Sequence, residues 1–433
     1  MNDKSNLVGL GKTALESQWH SLKESATDAP PLYNDQGLVA ENVLQWVVKN
    51  IGSLWRKPYA PFPTYGNPAV NNGIFKIQKD PTELVTIALL SDWASNTVES
   101  RQIARQAGIN DYSIHLGDTY YVGNTDEINA NFDPGNDGSF PYGILGSFAM
   151  NGNHEMYSSG ESYFTQLLPS MGTYQAGTND PVQSQEGSFF CLENDCWRII
   201  GLDTGYDSLA GAGVTDNINL DLTDEQKDWL QKVIKVNKDN RGLIFLTHHQ
   251  PFSAFEPEFL APAAYLSSII SPARDIIWLW GHEHWFSVYG ANKLPNGTNV
   301  YGRCIGNGGM PVELYENGGI KKPKDPNNVG NAENRNLVIY DQRTREVMEN
   351  DIHLGHNGYT ILTLNAANLT ISYFDDNFMT GPGRLILDEK WTVDTATGNL
   401  SGFMTDYTIN GDQDASLQLS LFGNALQDAV KGT

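Results

Sequence analysis

Residues 114–121 bring a carboxylate and a phenol together at a spacing that suits metal binding. The segment reads Ile-His-Leu-Gly-Asp-Thr-Tyr-Tyr, a short apolar strand that runs into a Gly-Asp turn. If a helical turn follows Asp118, residues three apart share a face, so Asp118 and Tyr121 can reach one cation. A carboxylate that gives one oxygen to each ion holds two cations about 3.5 to 4 Å apart, and a phenol ionises at neutral pH beside a strong Lewis acid such as Fe(III). By itself, Gly-Asp-x-x-Tyr is more often an ordinary strand-to-helix turn.

Four other predicted strands also end in potential metal ligands. They cover residues 84–90, 148–150, 243–246 and 276–280. The residues that follow them are Asp92, Asn153 with His154, His248 with His249, and His282 with His284. The strands alternate with helical or loop stretches, which is typical of an α/β fold. Because the carboxyl ends of strands in open α/β sheets converge on one crevice, we expect these distant segments to meet.

Each of these blocks alone has an ordinary explanation. Asp92 suits a helix N-cap, Asn153 a turn, and His282 with His284 a lone zinc site. Taken together, however, the blocks contain five of the nine histidines, all placed just after apolar strands. This concentration favours one shared metal centre.

The order of the blocks resembles the calcineurin-like metallophosphoesterase superfamily. The residues that carry the resemblance are Asp92, Gly117-Asp118-x-x-Tyr121, Gly152-Asn153-His154-Glu155, His248 and Gly281-His282-Glu283-His284. The tyrosine makes the chain most similar to the purple acid phosphatase type. The resemblance covers about residues 83 to 310 and implies a four-layer αββα sandwich of two mixed β-sheets flanked by helices.

The resemblance also implies a set of ligands for two metal ions. The first ion, Fe(III), is expected on Asp92, Asp118, Tyr121 and His284. The second, Fe(II), Zn or Mn, is expected on Asp118, Asn153, His248 and His282.

Two further histidines are expected to contact the substrate. His154 would lie over the phosphate, where it stabilises developing charge or protonates the leaving oxygen. The histidine pair leaves two registers open, since the His-x-Pro pattern of the family fits His249 whereas the spacing to Phe252 and Ser253 favours His248. We assign His248 as the metal ligand, and His249 as a neighbour that either supports the ligands or lies beside the phosphate.

The activity implied is the hydrolysis of a phosphomonoester, with a hydroxide that bridges the two metals attacking phosphorus in line. A phosphodiesterase that acts on a cyclic nucleotide or a phospholipid head group is the alternative, because the same metals serve both reactions. A binding module without activity is a third reading. It expects missing ligands, and none is missing here.

The charge of the chain restricts its partners. In 433 residues, 28 Lys and Arg stand against 51 Asp and Glu, a formal net charge of -23. Nucleic acids and anionic membranes need clustered basic residues, so we expect neither as a partner. The small phosphorylated substrate is what the family resemblance implies. No stretch has the roughly 18 apolar residues of a membrane span, and the first thirty residues lack the apolar region of a signal peptide. We therefore expect a soluble, cytoplasmic protein, with its oligomeric state open.

The same patterns predict the domain plan and several local elements. We expect a helical extension and linker in residues 1–80, with apolar residues at helical spacing in 38–48, a catalytic domain in 81–376, and a β-rich extension in 377–433 packed on that domain. Thr223 and Gln226 predict a helix start, and residues 358–364 and 369–374 predict a hairpin. Cys191 and Cys196 would face each other in a second hairpin, as a disulfide or as two buried thiols.

Overall fold

The computed structural model describes residues 58–405 and 419–421, with gaps at 81, 176, 211–214, 273, 317–318, 325–334 and 349–351. The strands of this part of the chain are β1 (Ile74–Lys76), β2 (Val85–Leu90), β3 (Tyr112–His115), β4 (Gly146–Ala149), β5 (Gly172–Tyr174), β6 (Pro181–Ser184), β7 (Phe190–Glu193), β8 (Trp197–Gly201), β9 (Leu209–Ala210), β10 (Thr215–Asp216), β11 (Gly242–Thr247), β12 (Asp275–Trp280), β13 (Phe286–Lys293), β14 (Asn299–Ile305), β15 (Tyr315–Glu316), β16 (Gly319–Ile320), β17 (Leu337–Asp341), β18 (Glu346–Met348), β19 (Ile352–Leu354), β20 (Gly358–Asn365), β21 (Asn368–Asp375), β22 (Arg384–Val393), β23 (Leu400–Thr405) and β24 (Leu419–Leu421).

The helices of the same ranges are short. The α-helices are α1 (Val98–Ala107), α2 (Thr125–Phe132), α3 (Asn153–Met156), α4 (Asp224–Trp229) and α5 (Leu260–Ile269). Tyr163–Leu167 and Leu230–Ile234 are π-helical, and Leu168–Ser170, Val236–Lys238 and Asn377–Met379 are 3₁₀ turns. None of the helices in the described ranges combines the length and the apolar character that a membrane crossing requires.

Within the described residues, eighteen strands build two mixed sheets of nine strands each, and the other six form three two-stranded sheets. The order of the first sheet is β1-β7-β8-β11-β12-β14-β13-β17-β24, and that of the second is β23-β22-β21-β20-β2-β3-β4-β5-β6. Parallel pairing joins β8, β11, β12 and β14 in the first sheet and β2, β3 and β4 in the second. The flanking strands are mostly antiparallel. The predicted architecture of two mixed sheets is confirmed.

The buried faces of β2 show how the layers stack. Successive side chains of a strand point to opposite faces. Ile87 packs in one cluster with Trp278 of the first sheet, so that cluster fills the space between the two sheets. Ala88 instead packs with Ile103 of α1, which covers the outer face of the second sheet. Trp229 of α4 and Leu266 of α5 complete the packing around the first sheet.

Two local predictions from the sequence are confirmed. β20 and β21 form the predicted hairpin, with Asn365 opposite Asn368 across the turn. Thr223 is the N-cap of α4, and its hydroxyl accepts a hydrogen bond from the backbone N–H of Gln226. The Gln226 side chain bonds to the backbone of Asp203 at 2.8 and 2.9 Å, so it ties α4 to the loop after β8.

The predicted hairpin around the two cysteines forms, but the cysteines do not face each other. Cys191 on β7 lies opposite Ile200 of β8, and Cys196 lies in the turn between the strands. Asn194 shapes this turn, because its side chain accepts from the N–H groups of Cys196 and Trp197. Both thiols are free.

The ends of the described chain belong to the two sheets. β1 lies before the predicted boundary at residue 80 and pairs in parallel with β7. β22 and β23 lie after residue 376 and extend the second sheet beyond β21. The helix predicted in residues 38–48 lies outside the described residues, and the three-part domain plan stays a prediction.

Candidate metal centre

The candidate centre lies where parallel strands of both sheets end. Asp92 follows β2, Asp118 follows β3, and Asn153 begins α3 just after β4, all from the second sheet. His248 follows β11 and His282 follows β12 of the first sheet. The two sets meet, since the ligand atoms of Asp92, Asp118 and His248 lie within 4.8 Å of one another. The predicted convergence of strand ends therefore brings together residues up to 190 positions apart.

The backbone at these positions is strained. Asp92, Asp118 and His282 have φ angles of 54°, 72° and 66°, in the left-handed region that residues with a side chain rarely adopt. Such conformations cluster at functional sites, where the surrounding structure holds them. Here the backbone N–H of His282 donates to Asp92 Oδ2 at 2.9 Å, and a Cβ on Gly281 would overlap Ser91 and Asp92. The strands are thus packed too closely for any side chain at residue 281.

A tyrosine hydroxyl lies at the centre of one half of the cluster. The hydroxyl of Tyr120 is 2.9 Å from Asp92 Oδ1, 3.0 Å from Asp118 Oδ2 and 2.9 Å from His284 Nε2. Burial and the two carboxylates raise the pKa of Tyr120 well above its usual value. Without a cation this phenol therefore keeps its proton and donates it to one of the two carboxylates.

The structure does not bring Tyr121 into this cluster. The hydroxyl that meets Asp92 and Asp118 is that of Tyr120, and burial, followed by the charge of Glu127, raises the pKa of Tyr121. The spacing argument assumed a helical turn after Asp118. Instead, Asp118 is in the left-handed region and Thr119 pairs with Ala94 in a β-bridge, so the turn begins at Thr119, whose carbonyl accepts from the N–H of Gly123. In this backbone it is the Tyr120 hydroxyl that meets Asp118.

Asn153 organises the other half of the cluster. Its Oδ1 lies 3.2 Å from His248 Nε2 and 3.2 Å from His282 Nδ1. His248 Nε2 also lies 3.3 Å from Asp118 Oδ1. Asp118 therefore has one oxygen in each half, the arrangement expected of a carboxylate that serves two ions.

The donor set of the cluster fits metal ions. His248 Nδ1 faces the carbonyl oxygen of Leu116 at 3.0 Å, while its Nε2 faces the oxygens of Asn153 and Asp118. A neutral imidazole carries one hydrogen, so both contacts are satisfied only by an imidazolium or by a cation at Nε2. Within the described residues, neither Asp92 nor Asp118 pairs with a lysine or an arginine.

The remaining two histidines lie at the edge of the cluster. His154 Nδ1 is 2.7 Å from the carbonyl oxygen of Tyr121, and its Nε2 is 3.8 Å from Asp118 Oδ2. His249 is buried with its Nδ1 3.1 Å from Thr204 Oγ1, and its ring centroid is 4.5 Å from that of His282. The partly exposed His154 can meet a substrate, whereas His249 supports the ligands from behind.

Sequence reasoning missed several residues that shape the centre. Glu155, quoted above only as part of a motif, accepts from the backbone N–H groups of Gly152 at 2.9 Å and Asp118 at 3.2 Å. Burial and the charge of Asp118 raise the pKa of Glu155 to about 7. Asp216 lies 3.5 Å from His282 Nε2 and belongs to no motif. Tyr120 had a signal only as the first member of the Tyr120-Tyr121 pair, since the sequence offers two adjacent phenols after Asp118.

The family assignment follows from a sequence comparison. The profile of the family described as Calcineurin-like phosphoesterase matches residues 85–286. This segment includes all five strand ends and every predicted ligand from Asp92 to His284. Residues 85–286 are therefore similar to a calcineurin-like phosphoesterase domain, as the motif order predicted. No match was found among curated proteins.

Solved structures were also compared with the chain. A purple acid phosphatase, PPD1 from yellow lupin (Lupinus luteus) seeds, matches at 13% identity and a TM-score of 0.38, over 70% of this chain and 53% of that one. PhoD matches at 11% identity and a TM-score of 0.45, over 86% and 78% of the two chains. A Vps29 mutant from Entamoeba histolytica matches at 9% identity and a TM-score of 0.23, over 75% and 99%. This chain spans about half the length of the lupin protein.

Proposed function

We propose that this protein is a dinuclear-metal-dependent phosphoester hydrolase that acts on a phosphomonoester. The observation that carries the proposal is the cluster itself, in which two buried carboxylates, an amide oxygen and three histidines converge without an arginine or lysine partner in the described part of the chain. The calcineurin-like phosphoesterase family supplies the class of reaction.

The proposed ligands divide into two sets that share Asp118. The first ion would be held by Asp92, Asp118, Tyr120 and His284, and the phenol of Tyr120 suits Fe(III). The second ion would be held by Asp118, Asn153, His248 and His282. Their imidazole and carboxyl donors suit Fe(II), Zn or Mn. When bound, such ions supply positive charge to the phosphoryl oxygens and lower the pKa of an attacking water.

His154 is the proposed proton carrier. Its Nδ1 faces the Tyr121 carbonyl and must carry a hydrogen there, so Nε2 is the nitrogen that faces the cluster and the solvent. Burial lowers the pKa of His154, while Asp118 opposes that shift. A proton held at Nε2 is then readily given to the leaving oxygen of the ester.

One observation favours phosphodiesters as a second candidate class of substrate. The Asp216 carboxylate lies beside His282 and is 39% exposed at the edge of the cluster. It repels a dianionic monoester more strongly than a diester, which carries one negative charge.

Hydrolysis of p-nitrophenyl phosphate and bis(p-nitrophenyl) phosphate tests the proposal and separates the two classes. We expect the purified protein to hydrolyse the monoester faster, and removal of metal with a chelator to abolish the reaction. Faster hydrolysis of the diester would establish the second class. Hydrolysis of neither ester by protein that contains two ions per chain would contradict the proposed function.

A further inference from the structure

The two histidines around Asn153 are held in place by different groups. His248 is buried, and its Nδ1, the ring nitrogen on the side away from Asn153, faces the backbone carbonyl of Leu116. His282 points Nδ1 at Asn153, and its outward nitrogen Nε2 faces the side chain of Asp216 at 3.5 Å. Metal-binding histidines usually donate their other ring N–H to a carbonyl or carboxylate, which fixes the tautomer and the ring orientation.

Asp216 comes from outside the strand ends that carry the cluster. It lies on β10, which pairs with β9 so that Asp216 is opposite Leu209. The base of this small hairpin is closed by a backbone bond from Asn217 to Ser208 at 2.6 Å, and Ser208 Oγ donates to the carbonyl of Gly205 at 2.5 Å. The hairpin is thereby anchored to the loop after β8, and Asp216 is held against His282.

We propose that Asp216 is a positioning residue for the second metal. Its carboxylate accepts the Nε2–H of His282, keeps the hydrogen on that nitrogen and turns the free lone pair of Nδ1 toward Asn153. This inference rests on the metal-binding part of the proposed function and is independent of the ester that is hydrolysed.

Zn²⁺ affinity separates this role from a general effect of charge. The metal-free full-length protein is titrated against a chromophoric chelator, for wild type and for the variants Asp216→Ala, Asp216→Asn and Asp207→Asn. Asp207 is an exposed carboxylate at the start of the same hairpin segment, so its variant removes the same charge without touching His282.

We expect Asp216→Ala to weaken the binding of one of the two Zn²⁺ ions about 10- to 100-fold, the range seen for groups that orient a metal-binding histidine. Asp216→Asn keeps an oxygen that accepts from Nε2–H, so it should restore most of the affinity, and Asp207→Asn should match wild type. In ¹⁵N NMR of the Zn²⁺-loaded wild type, His282 should carry its hydrogen on Nε2.

Either of two results would overturn the proposal. One is Zn²⁺ affinity in Asp216→Ala equal to that of Asp207→Asn, and the other is equal weakening in the Ala and Asn variants, which would assign the effect to charge alone. Because no substrate is present, absence of esterase activity would count against the proposed function and leave this result intact.

Discussion

Two buried clusters of histidine and carboxylate groups in this molecule are neutralised in different ways. In the first, Asp92, Asp118 and His248 have ligand atoms within 4.8 Å of one another, and the same holds for His356, Asp375 and Asp376 in the second. All six residues are buried. By residue type and distance alone, the two clusters are therefore the same kind of site.

The partners of the second cluster are arginines. Asp375 Oδ2 lies 2.7 Å from Arg343 Nη1 and 2.7 Å from Arg384 Nη2. Asp376 lies 2.6 Å from His356 and 3.4 Å from Arg345. Guanidinium groups stay charged at every physiological pH and bind carboxylates through two N–H groups, so these carboxylates are already compensated.

The first cluster has no such partner among the described residues. Its carboxylates face a tyrosine hydroxyl, a backbone N–H and histidine nitrogens, all of which suit a metal site. Leaving a buried carboxylate without a permanent cation is costly. The contrast indicates that the first cluster is shaped for ions that arrive from solution, whereas the second braces β17, β21 and β22.

Asp118→Asn should have the largest effect on activity. The variant loses the charge that both ions share, so we expect fewer than two ions per chain and a fall in kcat/KM for p-nitrophenyl phosphate of about 10³-fold or more. Asp376→Asn is the matched control in the second cluster and should keep both ions in the folded protein. Equal loss of metal in the two variants would remove the distinction between the clusters.

Arg343→Met should have a large effect on stability and none on metal content. It leaves Asp341 and Asp375 buried without their shared guanidinium, a change that costs about 3 kcal/mol of unfolding free energy. Urea unfolding measures the loss, and elemental analysis of the folded fraction should still find two ions per chain. An unchanged midpoint of unfolding would mean that the arginine is not needed to compensate the second cluster.

The tyrosine pair gives the next prediction. If Fe(III) binds the cluster, Tyr120→Phe should abolish the visible absorption band of a tyrosinate–iron pair and weaken iron binding about tenfold. Tyr121→Phe removes the same hydroxyl from the neighbouring residue and should keep the band. Loss of the band only in Tyr121→Phe would support the ligand implied by the family resemblance and would contradict the placement of the two side chains in this structure.

The last prediction concerns pH. Burial alone would lower the pKa of His248, but Asp118 and Asp92 raise it from 6.5 to about 10. A raised pKa gives stability that is complete below the unfolded value and is lost as the pH rises through the folded value. The free energy of unfolding of the metal-free protein should therefore fall between pH 7 and 10, by at most about 1.4 kcal/mol per pH unit.

His248→Gln is the control for this slope. Because the variant lacks this titrating imidazole, its free energy of unfolding, measured with urea at pH 7, 8 and 9, should fall less steeply with pH than that of wild type. The arginines of the second cluster do not titrate in this range. An identical slope in variant and wild type would assign the pH dependence to another group.

The sequence predicted the strand ends better than the side chains around them. Asp92, Asp118, Asn153, His248 and His282 each follow a parallel strand, and the geometry of α/β sheets makes such ends converge whatever the loops do. The position of the tyrosine depends instead on the local backbone after Asp118, which the residue types do not decide.

Residues that act through long-range contacts had no signal in the sequence. Asp216 reaches His282 from a hairpin 66 residues earlier in the chain, and no spacing rule connects them. The second cluster was also not anticipated. Arg343, which follows β17 of the first sheet, meets Asp375 of β21 and Arg384 of β22 only because the two sheets lie against each other. Such contacts follow from the tertiary fold and not from any local pattern.

Elemental analysis of the purified wild-type protein, paired with chelation and p-nitrophenyl phosphate hydrolysis, tests the central claim most directly. We predict two transition-metal ions per chain, loss of both on chelation, and loss of hydrolysis with them. Protein that holds no ion after incubation with Fe, Zn or Mn salts, or hydrolysis that persists after both ions are removed, would contradict the account.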